Sequence, residues 1–296
     1  MTGIVIIGSD SFIASRFIDS ISEKDHLKLF ARQPSGKDNE IVLKDLFEIR
    51  SFELNDYDIV INFTGIVHHP EIKDVDLYKR INTDLPVYLA SEAKKAGVRK
   101  FVQMSSVAVY GTKEMIDISS EEDPLNIYAR TKLDADKRLL ELQDDDFKVV
   151  SVRPPMVYGH GNAPGNMMKL IKFARLGLPV PYFDKNNLKD FIHISNLVIA
   201  LHTVIQNEIS GIVLPTDKLS FSTYEILKLI KLYSSDHVRL FKTPVFVGNV
   251  IRLLFKNAYN KIYGSQTIEC NLPEDLYLPI LTPCEGIKEM ISSIEK

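Results

Sequence analysis

Short apolar runs alternate with helically spaced patterns through the first two-thirds of the chain. "GIVIIG" (3–8) reads as a strand that breaks at Gly8, and "SFIASRFIDSIS" (11–22) carries apolar residues at helical spacing. "LKLFAR" (27–32) and "DIVINFTG" (58–65) are the next strands, followed by a helix over "PVYLASEAKKAGV" that ends at Gly97. "KFVQMSSVAVYG" (100–111) predicts another strand, "NIYARTKLDADKRLLEL" (126–142) a long helix, and "FKVVSVRPPMVYG" (147–159) a further strand. Strands separated by helices predict an α/β fold with a parallel, doubly wound sheet and right-handed crossovers. After Tyr158 the text turns rich in glycine and proline, in "GHGNAPGN" (159–166) and "GLPVPYF" (177–183). That shift predicts a smaller, discontinuous lobe. We expect residues 1–156 with about 188–210 in the sheet domain, and about 157–187 with 211–296 in the lobe.

Composition narrows the classes. The 296 residues carry a formal net charge of -3, with 45% hydrophobic and 25% charged residues. No basic stripe supports nucleic-acid binding. No apolar run approaches the roughly 18 residues of a membrane span, and no basic leader precedes the first apolar run, so stable membrane insertion is not expected. "VGNVIRLLF" (247–255) reads as a helix of the smaller lobe, with a loose membrane contact as its other reading. Cys270 and Cys284 stand far apart without metal spacing, which predicts no metal site and a reduced, cytoplasmic setting.

Two stretches carry candidate chemistry. In "GSDSFIAS" (8–15), Gly8 can make a tight strand-to-helix turn and Ala14 is small enough for close packing. Ser11 stands where the middle glycine of a dinucleotide loop is usual; its hydroxyl could donate to a phosphate or cap the helix. In "YARTK" (128–132), Tyr128 and Lys132 share one helix face at i and i+4, where an ammonium can lower the phenol below its usual value of about 10. A tyrosine tuned in this way can exchange a proton with a carbonyl or hydroxyl during hydride transfer.

These stretches, with "DIVINFTG", "RINTDLP" (80–86), "AGVRKFVQMSSVAVYG" (96–111), "RPPMVYG" (153–159) and "KDFIHISNL" (189–197) in order, resemble the extended short-chain dehydrogenase/reductases, in the branch that acts on nucleotide sugars. The resemblance runs from residue 4 to about 200 and continues more faintly to the end. It implies a Rossmann-type fold and a Ser106, Tyr128 and Lys132 trio, in which Ser106 and Tyr128 hold the reacting oxygen and Lys132 also grips the nicotinamide ribose. It implies cofactor contacts from Gly8, Ser11, Phe12 and Ile13 in the loop, and from Asp45 and Leu46 near the adenine. Phe63, Thr64, Gly65, Asn82, Ser105 and Pro155 join Tyr128 and Lys132 on the nicotinamide side. Substrate contacts fall on Val67, Ser106, Val107, Tyr128, Asn166, Met167 and Lys189. The sequence departs from the family pattern at Met156, where an asparagine is common, and at Lys189, where an arginine that pairs with the substrate diphosphate is usual. Lysine keeps that charge and loses the bidentate geometry.

The cofactor is read from the end of the second strand. An acidic residue there suits NAD, whereas Ala31-Arg32-Gln33 offers an arginine for a 2′-phosphate, with Lys37 as a helper. NADPH is therefore expected, with NAD as the alternative. "RPPMVYGHG" followed by "GNMM" also resembles bacterial reductases of UDP-linked 4-keto-6-deoxy-N-acetylhexosamines, made for surface polysaccharides. The expected activity is thus 4-keto reduction of a UDP-sugar. A UDP-hexose 4-epimerase with retained NAD, or a non-catalytic NADP-binding regulator, is the alternative, and a homodimer is compatible with either.

Overall fold

The computed structural model describes residues 2–21, 26–67, 74–160, 163, 165–182, 186–254, 259–260 and 263–295. Residues 161, 162 and 164 of "GHGNAPGN", Phe183 of "GLPVPYF", Ser22 at the end of the first helical pattern and Phe255 of "VGNVIRLLF" lie outside them. The chain divides into two compact units, residues 1–111, 121–153 and 200–213 in the first and 112–120, 154–199 and 214–296 in the second.

The first unit is built on seven parallel strands: β1 (Ile4–Ile7), β2 (Leu27–Ala31), β3 (Glu40–Val42), β4 (Ile59–Asn62), β5 (Lys100–Met104), β6 (Lys148–Val152) and β7 (Gly211–Val213). Their order is β7-β6-β5-β4-β1-β2-β3, so the winding reverses between β1 and β4, where ligands of open α/β sheets bind beyond the carboxyl ends of the strands. Strands buried on both faces read as continuous apolar runs, and β1 is buried at all four positions. Val5, Ile7, Val60, Phe101 and Val149 pack with Leu85, Leu89, Ala93, Ala135 and Leu139, from the helices Leu85–Lys95 and Ile127–Leu140. Phe17, on the helix Phe12–Asp19, stacks 6.1 Å from Phe63 and 5.0 Å from His202.

The second unit holds three two-stranded parallel pairs: Met156–Tyr158 with Phe191–His193, Pro179–Tyr182 with Arg239–Lys242, and Met115–Ile116 with Thr267–Ile268. Its helices include Asn166–Arg175, Thr223–Tyr233, Val245–Leu254 and Pro283–Ile294. Two of them begin with reciprocal caps, Ser222 with Glu225 and Thr282 with Glu285. No helix among the described residues is long and apolar enough to cross a membrane.

Several predicted elements are corrected. The strand over 100–111 stops at Met104, because Ser106 caps a 3-10 turn, Val107–Tyr110. The strand over 147–159 is two strands: Pro154 and Pro155 lack the N–H groups a ladder needs, so β6 ends at Val152 and a new strand starts at Met156. The division of the chain has other bounds than expected, with 112–120, 154–156 and 188–199 in the second unit. Residues 211–213 fall in the first, because β7 pairs with β6.

Candidate active site

The opening loop follows from its residue types. Gly8 has φ +81, and a Cβ there would lie 3.1 Å from the Thr64 Cγ2 and 3.2 Å from its N, so only glycine fits. The N–H groups of Gly8 and Ser9 both donate to the Phe30 carbonyl, which fastens the turn to β2. Ser11 Oγ accepts from Ala14 N at 3.2 Å. Of its two readings the cap is therefore made, and the hydroxyl proton stays available to a ligand. Phe12 and Ile13 form the half-buried first turn, and no acidic side chain there neutralises the helix dipole. Ser11→Ala is expected to cost about 1 kcal/mol of stability and Ser11→Gly only a few tenths. Urea unfolding of both variants checks this, and equal stability of Ser11→Ala and parent would remove the cap.

Beside this loop lies a cavity of about 550 Å³, wholly within the first unit. Its wall takes in Gly8, Ser11, Arg32, Asp45, Leu46, Phe63, Thr64 and Gly65, together with Lys44 and Arg80. Arg32 is exposed, and no carboxylate follows β2 before Asp38. Lys37 does not line this wall, since its amine donates to the Ser9 carbonyl at 3.1 Å and to Ser35 Oγ at 3.0 Å. Lys44 and Arg80 are the other cations on the wall instead. Asp45 accepts from Phe47 N at 3.1 Å and pairs with Arg80, whose guanidinium lies 4.8 Å from the centre of the Phe47 ring.

Asn82 is fully buried in a π-helical turn, Arg80–Asp84, within the helical segment 75–95. Its amide accepts from Ile66 N at 2.8 Å and donates to Ile66 O at 3.0 Å and Thr131 Oγ1 at 3.2 Å. Its polar atoms thus clamp the loop after β4, and it acts by positioning Gly65 and Ile66. Val67 follows, 60% exposed, its carbonyl accepting from the Tyr78 hydroxyl.

The three residues of the expected trio converge at the carboxyl ends of β4 and β5. Asn126 caps the helix Ile127–Leu140 through Ala129 N, which orients its first turn. The Ser106 side chain lies close enough to Tyr128 to pull its phenol pKa down, and the Ser106 Oγ accepts from Ala108 N at 3.2 Å. Val107 beside it is buried. Lys132 is buried and donates to the carbonyls of Met104 at 2.9 Å and Thr64 at 3.2 Å. Burial lowers its pKa to about 8, with the Asp136 carboxylate opposing. A Cβ on Gly65 would meet the Lys132 amine at 2.8 Å, so the glycine lets the buried amine lie against the chain after β4. One expectation is reversed: burial raises the Tyr128 phenol above its ordinary value, the Ser106 hydrogen bond pulls it down, and the Asp136 charge adds to the rise.

A buried network behind this group escaped the sequence reading. Asp136, fully buried, accepts from Ser105 Oγ at 2.7 Å and Arg153 Nε at 2.8 Å. Arg153, 1% exposed, also donates to the Tyr110 hydroxyl at 2.7 Å and to Glu122 at 3.2 and 3.3 Å. Ser105, expected on the nicotinamide side, therefore turns its hydroxyl into the core. The available signal was spacing: Tyr128, Lys132 and Asp136 stand at i, i+4 and i+8 on one helix face.

In the second unit a largely apolar cavity of about 350 Å³ is lined by Met156, Asn166, Met167, Phe173, Lys189 and Phe191, among others. Pro155 is buried just before it. Gly165, at φ +139, leads into the helix Asn166–Arg175 with no side-chain cap. The Lys189 amine donates to the Asn260 carbonyl at 3.0 Å, and burial lowers its pKa to about 8.

Known proteins give this arrangement its context. The UDP-glucose 4-epimerase of Vibrio cholerae is 24% identical over 311 residues, 97% of this chain and 93% of its own. The N-acetyl-alpha-D-glucosaminyl-diphospho-ditrans,octacis-undecaprenol 4-epimerase of Escherichia coli O157:H7 is 24% identical over 70% of this chain and 64% of its own. The solved structure of MoeE5 in complex with UDP-glucose and NAD has a TM-score of 0.78 at 22% identity, covering 99% of this chain and 98% of that one. The pattern of the NAD dependent epimerase/dehydratase family matches residues 4–213, and the chain belongs to that family.

Proposed function

We propose that the chain is an NADPH-dependent reductase of the 4-keto group of a UDP-linked 6-deoxy-N-acetylhexosamine, serving surface polysaccharide synthesis. Tyr128 and Ser106, brought together beside the buried Lys132 amine, carry the reading. In it the first unit binds the dinucleotide. Gly8 and the free end of the helix Phe12–Asp19 receive the pyrophosphate, Leu46 and Asp45 flank the adenine, and Lys132 holds the nicotinamide ribose. Phe63, Thr64 and Gly65 form the wall, kept in place by Asn82. The tight turn at Gly8 and the close approach of Gly65 to the Lys132 amine fit such a group. Bound nicotinamide supplies the hydride. Ser106 donates to the ketone oxygen, Tyr128 gives that oxygen its proton, and Lys132 favours the tyrosinate left behind.

The second unit's cavity takes the nucleotide part of the substrate, with Asn166 and Met167 at the helix start and Lys189 as the diphosphate's counter-charge. Arg32 and Lys44 on this wall, with no acid between the end of β2 and Asp38 and with Asp45 paired to Arg80, favour the 2′-phosphate of NADPH. Arg32→Ala is expected to weaken NADPH by about 1.5–3 kcal/mol, the scale of charged hydrogen bonds, and to spare NADH. Fluorescence titration with both nucleotides reads the difference; equal losses would make Arg32 a support of the loop.

A 4-epimerase using the same trio with retained NAD is the second reading, favoured by the relatives of Vibrio cholerae and Escherichia coli, both named as 4-epimerases. NADPH consumption with a panel of UDP-4-keto sugars decides between them. Turnover there supports the reductase. Interconversion of UDP-hexoses without added nucleotide, and no consumption of NADPH, would replace it with the epimerase.

A further inference from the structure

The helix Val245–Leu254 of the second unit exposes a face that the oxidoreductase reading does not use. Phe246 is 70% exposed, Val250 52%, Leu253 83% and Leu254 67%. They stand at i, i+4, i+7 and i+8, one stripe of an α-helix. Large apolar side chains gathered on one exposed face mark an interaction surface rather than scattered solvent contact.

Charge says which partner. The chain is net acidic at -3, yet Arg239 to Gly264 holds Arg239, Lys242, Arg252, Lys256 and Lys261 with no aspartate or glutamate. Arg239 and Lys242 are exposed on the strand that precedes the helix, and Phe241 between them is 44% exposed. An apolar helical stripe with basic flanks is the composition of helices that lie in the headgroup layer of an anionic bilayer. At 10 residues the helix is about 15 Å long, half the roughly 30 Å of a hydrocarbon core, so it can lie on a bilayer and cannot span one. A second copy of the chain fits less well, because a two-fold contact sets the same patch against itself and would oppose its cations.

We propose that Phe246, Val250, Leu253 and Leu254, with the exposed Arg239 and Lys242 just before them in the chain, dock the protein on an anionic phospholipid surface. The apolar side chains enter the interface while the cations meet lipid phosphates, so docking is reversible and weakened by salt. None of these residues belongs to either cavity described above.

The test is flotation of the full chain with vesicles of phosphatidylglycerol and phosphatidylcholine in equal parts, and with phosphatidylcholine alone. Binding to the anionic vesicles that declines with salt is expected. Phe246→Ser with Leu253→Ser should lower it at least about tenfold, from lost apolar burial. Arg239→Gln and Lys242→Gln should each lower it about fivefold. Dinucleotide binding by each variant, measured alongside, reports that it remains folded. Equal binding to both vesicle types, undiminished binding by the folded serine variant, or no binding at all would overturn the proposal. So would a dimer in sedimentation that the serine changes dissolve while vesicles bind nothing.

Discussion

Tyr128→Phe is expected to lower turnover by about 10²-fold or more, the scale of general acid catalysis, with the fold and dinucleotide affinity retained. The change removes one oxygen and leaves the ring, which is packed in the first turn of the helix Ile127–Leu140. Ser106 keeps its cap to Ala108 N, and Lys132 keeps its two carbonyl partners. What is lost is the hydroxyl proposed as the proton donor, beside Ser106. Single-turnover measurement of hydride transfer, beside a titration of NADPH, separates the chemical step from binding. A phenylalanine variant that turns over at the parent's rate would place the proton donor elsewhere and end the reading of this trio.

The second large effect is on stability. Asp136→Ala should cost about 3 kcal/mol or more, because breaking a buried pair leaves the other charge stranded. Arg153 is 1% exposed, so water does not replace the lost carboxylate, although Glu122 and the Tyr110 hydroxyl remain and hold the loss to the lower end of that range. Asp136→Asn keeps an acceptor for Ser105 and Arg153 and should cost less. Urea unfolding of both variants checks the order. A loss below about 1 kcal/mol for the alanine variant would mean that the arginine finds another partner or reaches solvent.

The contrast between these residues shows what the sequence could convey. Tyr128 and Lys132 were legible because helix periodicity alone puts i and i+4 on one face. The strands β1 and β4 were legible because burial on both faces leaves the apolar runs Ile4–Ile7 and Ile59–Ile61, and β2 and β5 because they stay mostly apolar around Lys28 and Gln103. β3 and β7 were not, being three residues long and set at the two edges of the sheet, where no apolar run is required. The partnership of Asp136 with Arg153 was hidden because it joins a helix to the end of a strand, and its direction depends on the packing of both. Ser105 and Ser106 are neighbours with the same side chain, yet one faces the core and the other Tyr128. Only the backbone twist after Met104 separates them. The cap at Ser11 and the clamp at Asn82 likewise depend on main-chain groups whose positions no side-chain pattern encodes.

The last strand to join the sheet sets a timetable. β7 pairs with β6, Gly211 opposite Val150, and the Val213 carbonyl accepts from Arg153 N at 2.8 Å. Ribosomes deliver Val213 about sixty residues after Arg153, a delay of several seconds at about 5–20 residues per second. Through that interval β6 is an uncovered edge, with free N–H and C=O groups that another strand can take. The nascent chain is then most exposed to mispairing with a neighbour on the same message, and the arginine that anchors Asp136 gains its final backbone partner only when this window closes.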